Sequence, residues 1–206
     1  NIRDNLKILY LIVSLSLVSC AQQTILSGGP KDNNPPELLL DSNRNITNFS
    51  ENNLSLEFNE NIQIIKNKRS FITNPKINDI DLIEEKNKID LVWEDSLTEN
   101  TTYSFIFLNA IADITESNKI DELKYIISTG TEIDSGGIHG FINKYPEKSS
   151  LENILIYAKG INRHSKFYRT YSNSNGEYLL NNLKKGKYIL YCFDDENNNY
   201  LLDNVL

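Results

Sequence analysis

The sequence predicts an all-β protein, two tandem antiparallel β-sandwiches behind a short removable leader. Three observations carry that expectation. Apolar residues recur at alternate positions in one segment after another from residue 37 onward, and Gly, Pro and Asn clusters separate those segments. The most apolar run lies at the front, before any alternation begins.

Arg3 and Lys7 precede an apolar run from Ile8 to Val18, which closes in "LVSC" at Cys20. A spanning helix takes about 20 apolar residues, whereas this run is broken by Ser14 and Ser16, so residues 1–19 read as an export signal peptide. The tetrad resembles the bacterial lipobox, in which the cysteine becomes the first residue of the mature chain and carries lipid. Cys20 is then the anchor, and acyl chains contributing about 0.8 kcal/mol per buried CH₂ tether the protein without spanning the membrane. Residues 20–36 form the lipid anchor and linker, where Gly28-Gly29-Pro30 lacks periodicity and Pro35-Pro36 is stiff and extended.

The chain has 21 Lys+Arg against 28 Asp+Glu. Without Arg3, Asp4 and Lys7 the balance is 19 against 27, a net charge of about −8. The acidity is evenly spread and no basic patch interleaves with aromatics, so no nucleic-acid partner is expected. Lipidation of Cys20 leaves Cys192 alone, which excludes an intrachain disulfide framework; in "KYILYCF" it reads as a small buried hydrophobe. Asparagine is abundant, and the N-x-[ST] triplets at Asn45, Asn48, Asn53 and Asn100 read as compositional rather than as glycan acceptors.

Residues 37–131 form the first domain. In "NLSLEF" Leu54, Leu56 and Phe58 share one face; Ile89, Leu91 and Trp93 do so in "KIDLVW", and Tyr103, Phe105 and Phe107 in "TYSFIF". The polar "EEKN" supplies a hairpin turn before "KIDLVW", and "LNAIADITESN" reads as a loop with one short apolar piece. About seven strands in this length give a sandwich. Leu97 precedes Tyr103 by six positions, the spacing of a tyrosine corner, which makes Tyr103 a fold residue whose hydroxyl bonds the upstream backbone. Trp93 belongs to the core by its alternation.

Ser135-Gly136-Gly137 reads as a flexible joint, and residues 136–206 as an incomplete second domain. "GGIHGFI", "NILIYAKG", "KFYRTYSNSNGEYLL" and "GKYILYCF" alternate, with Tyr178, Leu180, Leu183, Tyr188, Leu190 and Cys192 expected on the inner face. The chain begins without methionine and stops within this pattern, so it reads as a fragment.

"GGPKDNNPP", "LEFNENIQ", "DSLTENTTYSFIFLNAIAD" and "ISTGTEIDS" together resemble lipoproteins of the Bacteroidota carrying an Ig-like domain of the S-layer-protein type, over residues 28–135. "SNGEYLLNNLKKGKYILYCFDDENNN" resembles a prealbumin-like module of the carboxypeptidase-regulatory type, cut short. The resemblance implies location and architecture and brings no enzymatic activity.

Only His139 and His164 occur, neither at metal-type spacing, and no nucleophile elbow, zinc-protease or phosphate-loop motif is present, so no enzyme and no resident cofactor is expected. Acidic pairs such as Asp194-Asp195 read as solvated turn carboxylates. In "DENNNYLLD", Asp195, Asn197, Asn199 and Asp203 fall in the order of positions 1, 3, 5 and 9 of a calcium loop. Tyr200 stands where such a loop needs glycine and Leu206 where it needs glutamate, so an ordinary Asx-rich turn competes with the cation site. Asp95-Ser96-Leu97 resembles a short O-glycosylation acceptor of these bacteria, against a plain turn before the tyrosine corner.

The resulting expectation is an outer-membrane lipoprotein, facing the periplasm because "AQQTIL" lacks an acidic export cluster, and acting as a scaffold or interaction module for other envelope proteins. The alternatives are a surface glycan-binding or adhesive protein using Tyr168 and Tyr171 to stack on sugar rings, or the non-catalytic front of a larger enzyme.

Overall fold

The computed structural model describes residues 29–39, 45–67, 69–161 and 166–195, together with Arg3. Apart from Arg3, the signal peptide lies outside the described residues, as do Cys20, Asn197, Asn199, Asp203 and His164. No helix among the described residues is long and apolar enough to cross a membrane.

The described elements past the linker are all strands, and the alternation explains them. In β2 (Asn53–Glu57) the buried positions are Leu54 and Leu56; in β6 (Lys88–Trp93) they are Ile89, Leu91 and Trp93. These two strands pair antiparallel, and β5 (Ile80–Glu85) pairs with the far edge of β6. The β5–β6 hairpin closes as expected, with Lys86 in the left-handed region at φ 52° and Glu85 opposite Lys88.

The facing sheet is built on β7 (Thr102–Asp113), twice as long as its apolar alternation suggests. Its first half pairs with β4 (Phe71–Asn74) and its second with β3 (Ile62–Ile64), while β8 (Lys119–Ser128) runs along its other edge. The segment expected as a loop after Phe107 is therefore strand. A bulge between Leu108 and Ile111, with Asn109 at φ 48°, shifts the alternation so that Phe107, Ala110 and Ile111 are all buried, and the shift disguises the strand in the sequence. The short β1 (Asn45–Ile46) adds parallel to β8.

The core between these sheets joins Leu54, Leu56 and Phe58 to Ile89, Leu91 and Trp93 and to Tyr103, Phe105, Phe107 and Ile127. Trp93 packs on Phe105 with ring centroids 5.7 Å apart and on Phe49 at 6.2 Å. The end of the proline linker is already part of this sandwich: Pro36 is buried, Leu38 bridges Phe58, and Leu39 N–H donates to the Glu57 carbonyl at 2.7 Å.

Five further strands follow. One sheet is β11 (Phe167–Tyr171), β10 (Leu155–Gly160) and β13 (Tyr188–Phe193), with β10 in the middle; the other pairs β9 (Gly136–Phe141) with β12 (Glu177–Leu183). Ile156, Ala158, Tyr168, Leu180 and Leu183 form their core, with Tyr178 and Tyr188 half-buried beside it.

Two expectations fail here. Gly136 and Gly137 are not a flexible joint: both lie in β9, opposite Leu183 and Asn181, and a Cβ on Gly136 would collide with the Leu183 carbonyl oxygen. The segment before them is fastened by Asp134 N–H donating to Thr102 Oγ1 at 2.8 Å. Cys192 and Leu190 lie on the inner face as expected, opposite Ile156 and Ala158, but they are exposed rather than buried, because β13 is an edge strand and the core gathers over β10 and β11.

Candidate functional site

Tyr103 is 3% exposed, and its hydroxyl accepts the Thr98 backbone N–H at 3.0 Å, with Leu97 half-buried against the core. Trp93 is 2% exposed. These residues hold the fold and offer nothing to a ligand. Ser96 is exposed beside them.

A second anchor had no sequence signal. Asp113, at the end of β7, accepts backbone N–H groups from Glu116, Ser117 and Asn118 at 2.5, 3.0 and 2.7 Å, closing the turn into β8. Burial pushes its carboxyl up, but these backbone donors together outweigh it and hold the carboxyl below its ordinary value.

Of the calcium-type loop only Asp195 is described. It is fully buried rather than solvated, and its backbone carbonyl accepts from the Arg69 guanidinium at 3.4 Å. No cluster of metal-type ligands occurs among the described residues.

The two tyrosines expected to stack on sugars do not present themselves. Tyr168 points inward onto the Leu180 and Leu183 core and is 3% exposed, edge-on to Tyr188 with ring centroids at 5.9 Å. Tyr171 is half-buried, with the Arg69 guanidinium 4.8 Å from its ring centroid. Parity explains the first and a charge from the neighbouring sandwich explains the second.

That charge belongs to a seam. Asn74, in β4, donates from Nδ2 to the Arg169 carbonyl at 2.7 Å and accepts the Arg169 N–H on Oδ1 at 2.9 Å. Lys184 Nζ donates to the Asn100 carbonyl at 3.0 Å, Lys166 Nζ to Thr98 Oγ1 at 2.6 Å, and Asn182 Nδ2 to the Asp134 carbonyl at 3.1 Å. Beside the seam opens a groove of about 880 Å³, with Ile106, Leu108 and Lys124 on one wall and His139, Arg169 and Leu179 on the other. Burial pulls the Lys124 ammonium below its ordinary value.

The outer face of the β11-β10-β13 sheet has the more distinctive chemistry. The register sets Arg169, Tyr157 and Tyr191 in one row across the strands, and Phe167, Lys159 and Ile189 in the next. Tyr157 and Phe167 rings lie 5.0 Å apart, and the Lys159 ammonium sits 5.5 Å from the Phe167 centroid. Burial pushes the Tyr157 phenol up, while the charge of Arg169, its partner across the strands, draws it down. Tyr191 is 47% and Phe167 38% exposed. The aromatic signal sought in Tyr168 and Tyr171 is thus present one strand position away and on two neighbouring strands.

No curated protein and no solved structure matches the chain at a significant level. Residues 32–129 match the family model of a bacterial Ig-like domain, whose sandwich is typically non-catalytic. The two facing sheets and the buried core of that segment agree with the match, so over residues 32–129 the chain is similar to a bacterial Ig-like domain.

Proposed function

We propose that the chain is a lipid-anchored, non-catalytic module of the bacterial outer membrane, held at Cys20, facing the periplasm and acting as a scaffold for other envelope proteins. The observation that carries this reading is the seam: the Asn74–Arg169 pair and the lysine and asparagine bonds beside it join an Ig-like sandwich to the second β unit. Such fastening suits a part that holds partners at fixed spacing. The "LVSC" motif supplies the anchor, and the prealbumin-like resemblance describes the second unit.

Protease digestion of intact and lysed cells expressing the epitope-tagged full chain tests it, with Cys20→Ala alongside. The tag is expected to survive in intact cells and vanish on lysis, and Cys20→Ala to leave the membrane fraction. Loss of the tag from intact cells would reverse the orientation and favour a surface role.

A further inference from the structure

We propose that the outer face of the β11-β10-β13 sheet is a platform for an acidic polysaccharide, stacking on Tyr157, Phe167 and Tyr191 and pairing with Lys159. The inference extends the reading of the chain as a binding module by naming a ligand class and a surface. It does not depend on which side of the membrane the module faces.

Strand geometry makes the platform. Adjacent strands lie about 4.8 Å apart, so three aromatic side chains on successive strands cover a strip comparable to two linked pyranose rings. The strip is open where it counts: Tyr191 and Phe167 are substantially exposed and Tyr157 half-buried between them, whereas Leu155 in the row beyond is fully buried. An aromatic face is negative over the ring, and the C–H groups on one side of a sugar ring present positive hydrogens to it. Flat aromatic area of this kind suits a saccharide better than the shaped pocket that a protein side chain requires.

Charge selects the sugar. In a chain with formal net charge −7, neither row contains an aspartate or glutamate, and Lys159 in the second row is an exposed cation, whereas Arg169 in the first is buried. A neutral glycan has no use for this ammonium, whereas a carboxylate or sulfate group along an acidic polymer pairs with it. The overall negative charge opposes non-specific adsorption of a polyanion, so binding, where it occurs, reports a local site.

Affinity electrophoresis of the full chain in detergent gives the test, in native gels containing dextran, dextran sulfate or polygalacturonate. Retardation is expected in at least one of the two acidic gels and not in dextran, and the gel that retards names sulfate or carboxylate as the recognised group. Tyr191→Ala and Lys159→Glu are each expected to weaken that retardation about tenfold. Tyr145→Ala, on a side chain 91% exposed and away from the face, is expected to leave it unchanged. Equal retardation by dextran, absence of retardation in both acidic gels, or equal losses in Tyr145→Ala and Tyr191→Ala would each overturn the proposal. So would competition by a single-stranded oligonucleotide at concentrations below those of the polysaccharide. Circular dichroism of each variant separates loss of the site from loss of the fold, and the protease-protection result stands whichever way these gels run.

Discussion

The carboxamide of Asn74 pairs with both backbone groups of Arg169, donating at 2.7 Å and accepting at 2.9 Å, as a neighbouring strand would. One side chain from the Ig-like sandwich thereby caps an edge of the second unit, with both residues buried. Replacing it with an isosteric apolar group leaves a buried donor and acceptor without partners, at about 1–3 kcal/mol each. Asn74→Leu is expected to lower the denaturant midpoint and to speed amide exchange at Arg169, read by hydrogen-exchange mass spectrometry. Unchanged exchange at Arg169 would show that the seam is held by the lysines instead.

Tyr103→Phe removes the acceptor for Thr98 N–H and keeps the buried ring. A loss of about 1 kcal/mol is expected in chemical denaturation, the net worth of one intramolecular hydrogen bond. Tyr103→Ala is expected to cost about 3–5 kcal/mol, since it also leaves a cavity beside Phe105.

Asp113 makes acid sensitivity local. Its folded carboxyl titrates below the unfolded value of about 3.9, so its stabilisation is present above that pH and is lost as pH falls through the lower, folded value. Below about pH 4 the wild-type thermal midpoint is therefore expected to fall more steeply than that of Asp113→Asn. Parallel acid limbs for the two proteins would remove Asp113 from the account.

Cys192 is exposed, so it is expected to react with a maleimide in the folded chain, with Cys192→Ser as control. Its partial burial raises the thiol above its ordinary value, and the thiolate is the nucleophile. Labelling is therefore expected to be slower than that of free cysteine near neutrality and to accelerate as pH rises through the thiol's range. A label that enters only after unfolding would show that β13 is covered.

Gly136→Ala tests the crossing of β9 and β12. The added methyl meets a backbone oxygen rather than a flexible side chain, so relief requires moving a strand. A cost of about 1–3 kcal/mol is expected, the usual scale of overpacking. An unchanged denaturation midpoint would mean that the two strands yield.

Much of the fold was legible because its signal is periodic. The alternation of Leu54, Leu56, Ile89, Leu91, Trp93, Phe105 and Phe107 fixes which face is buried without reference to anything distant in the chain. It fails where the period is broken on purpose. Asn109 bulges β7 and hides half of a strand, and β13 alternates correctly yet has too little of the opposing sheet over it to bury Leu190 or Cys192. The site was less legible for the same reason. Which aromatic rings share a face depends on the register between strands, and register is a long-range property: "FYRTY" alone cannot reveal that Phe167 sits beside Tyr157 while Tyr168 turns inward. Asn74 and Asp113 act on backbone groups, one across the chain and one in a turn, and no local spacing announces either.

The abundant asparagines, whose N-x-[ST] triplets read as compositional, have a further consequence. Among the described residues Asn48, Asn100, Asn109, Asn153 and Asn182 hold left-handed backbone, where a β-branched side chain is strained and asparagine is tolerated. An AT-rich coding sequence offers isoleucine as readily as asparagine, yet at these five turns and bulges the two are not exchangeable. Mutational drift that looks neutral by codon is therefore channelled by backbone handedness, and the surplus of one residue type becomes a constraint on how the chain can evolve.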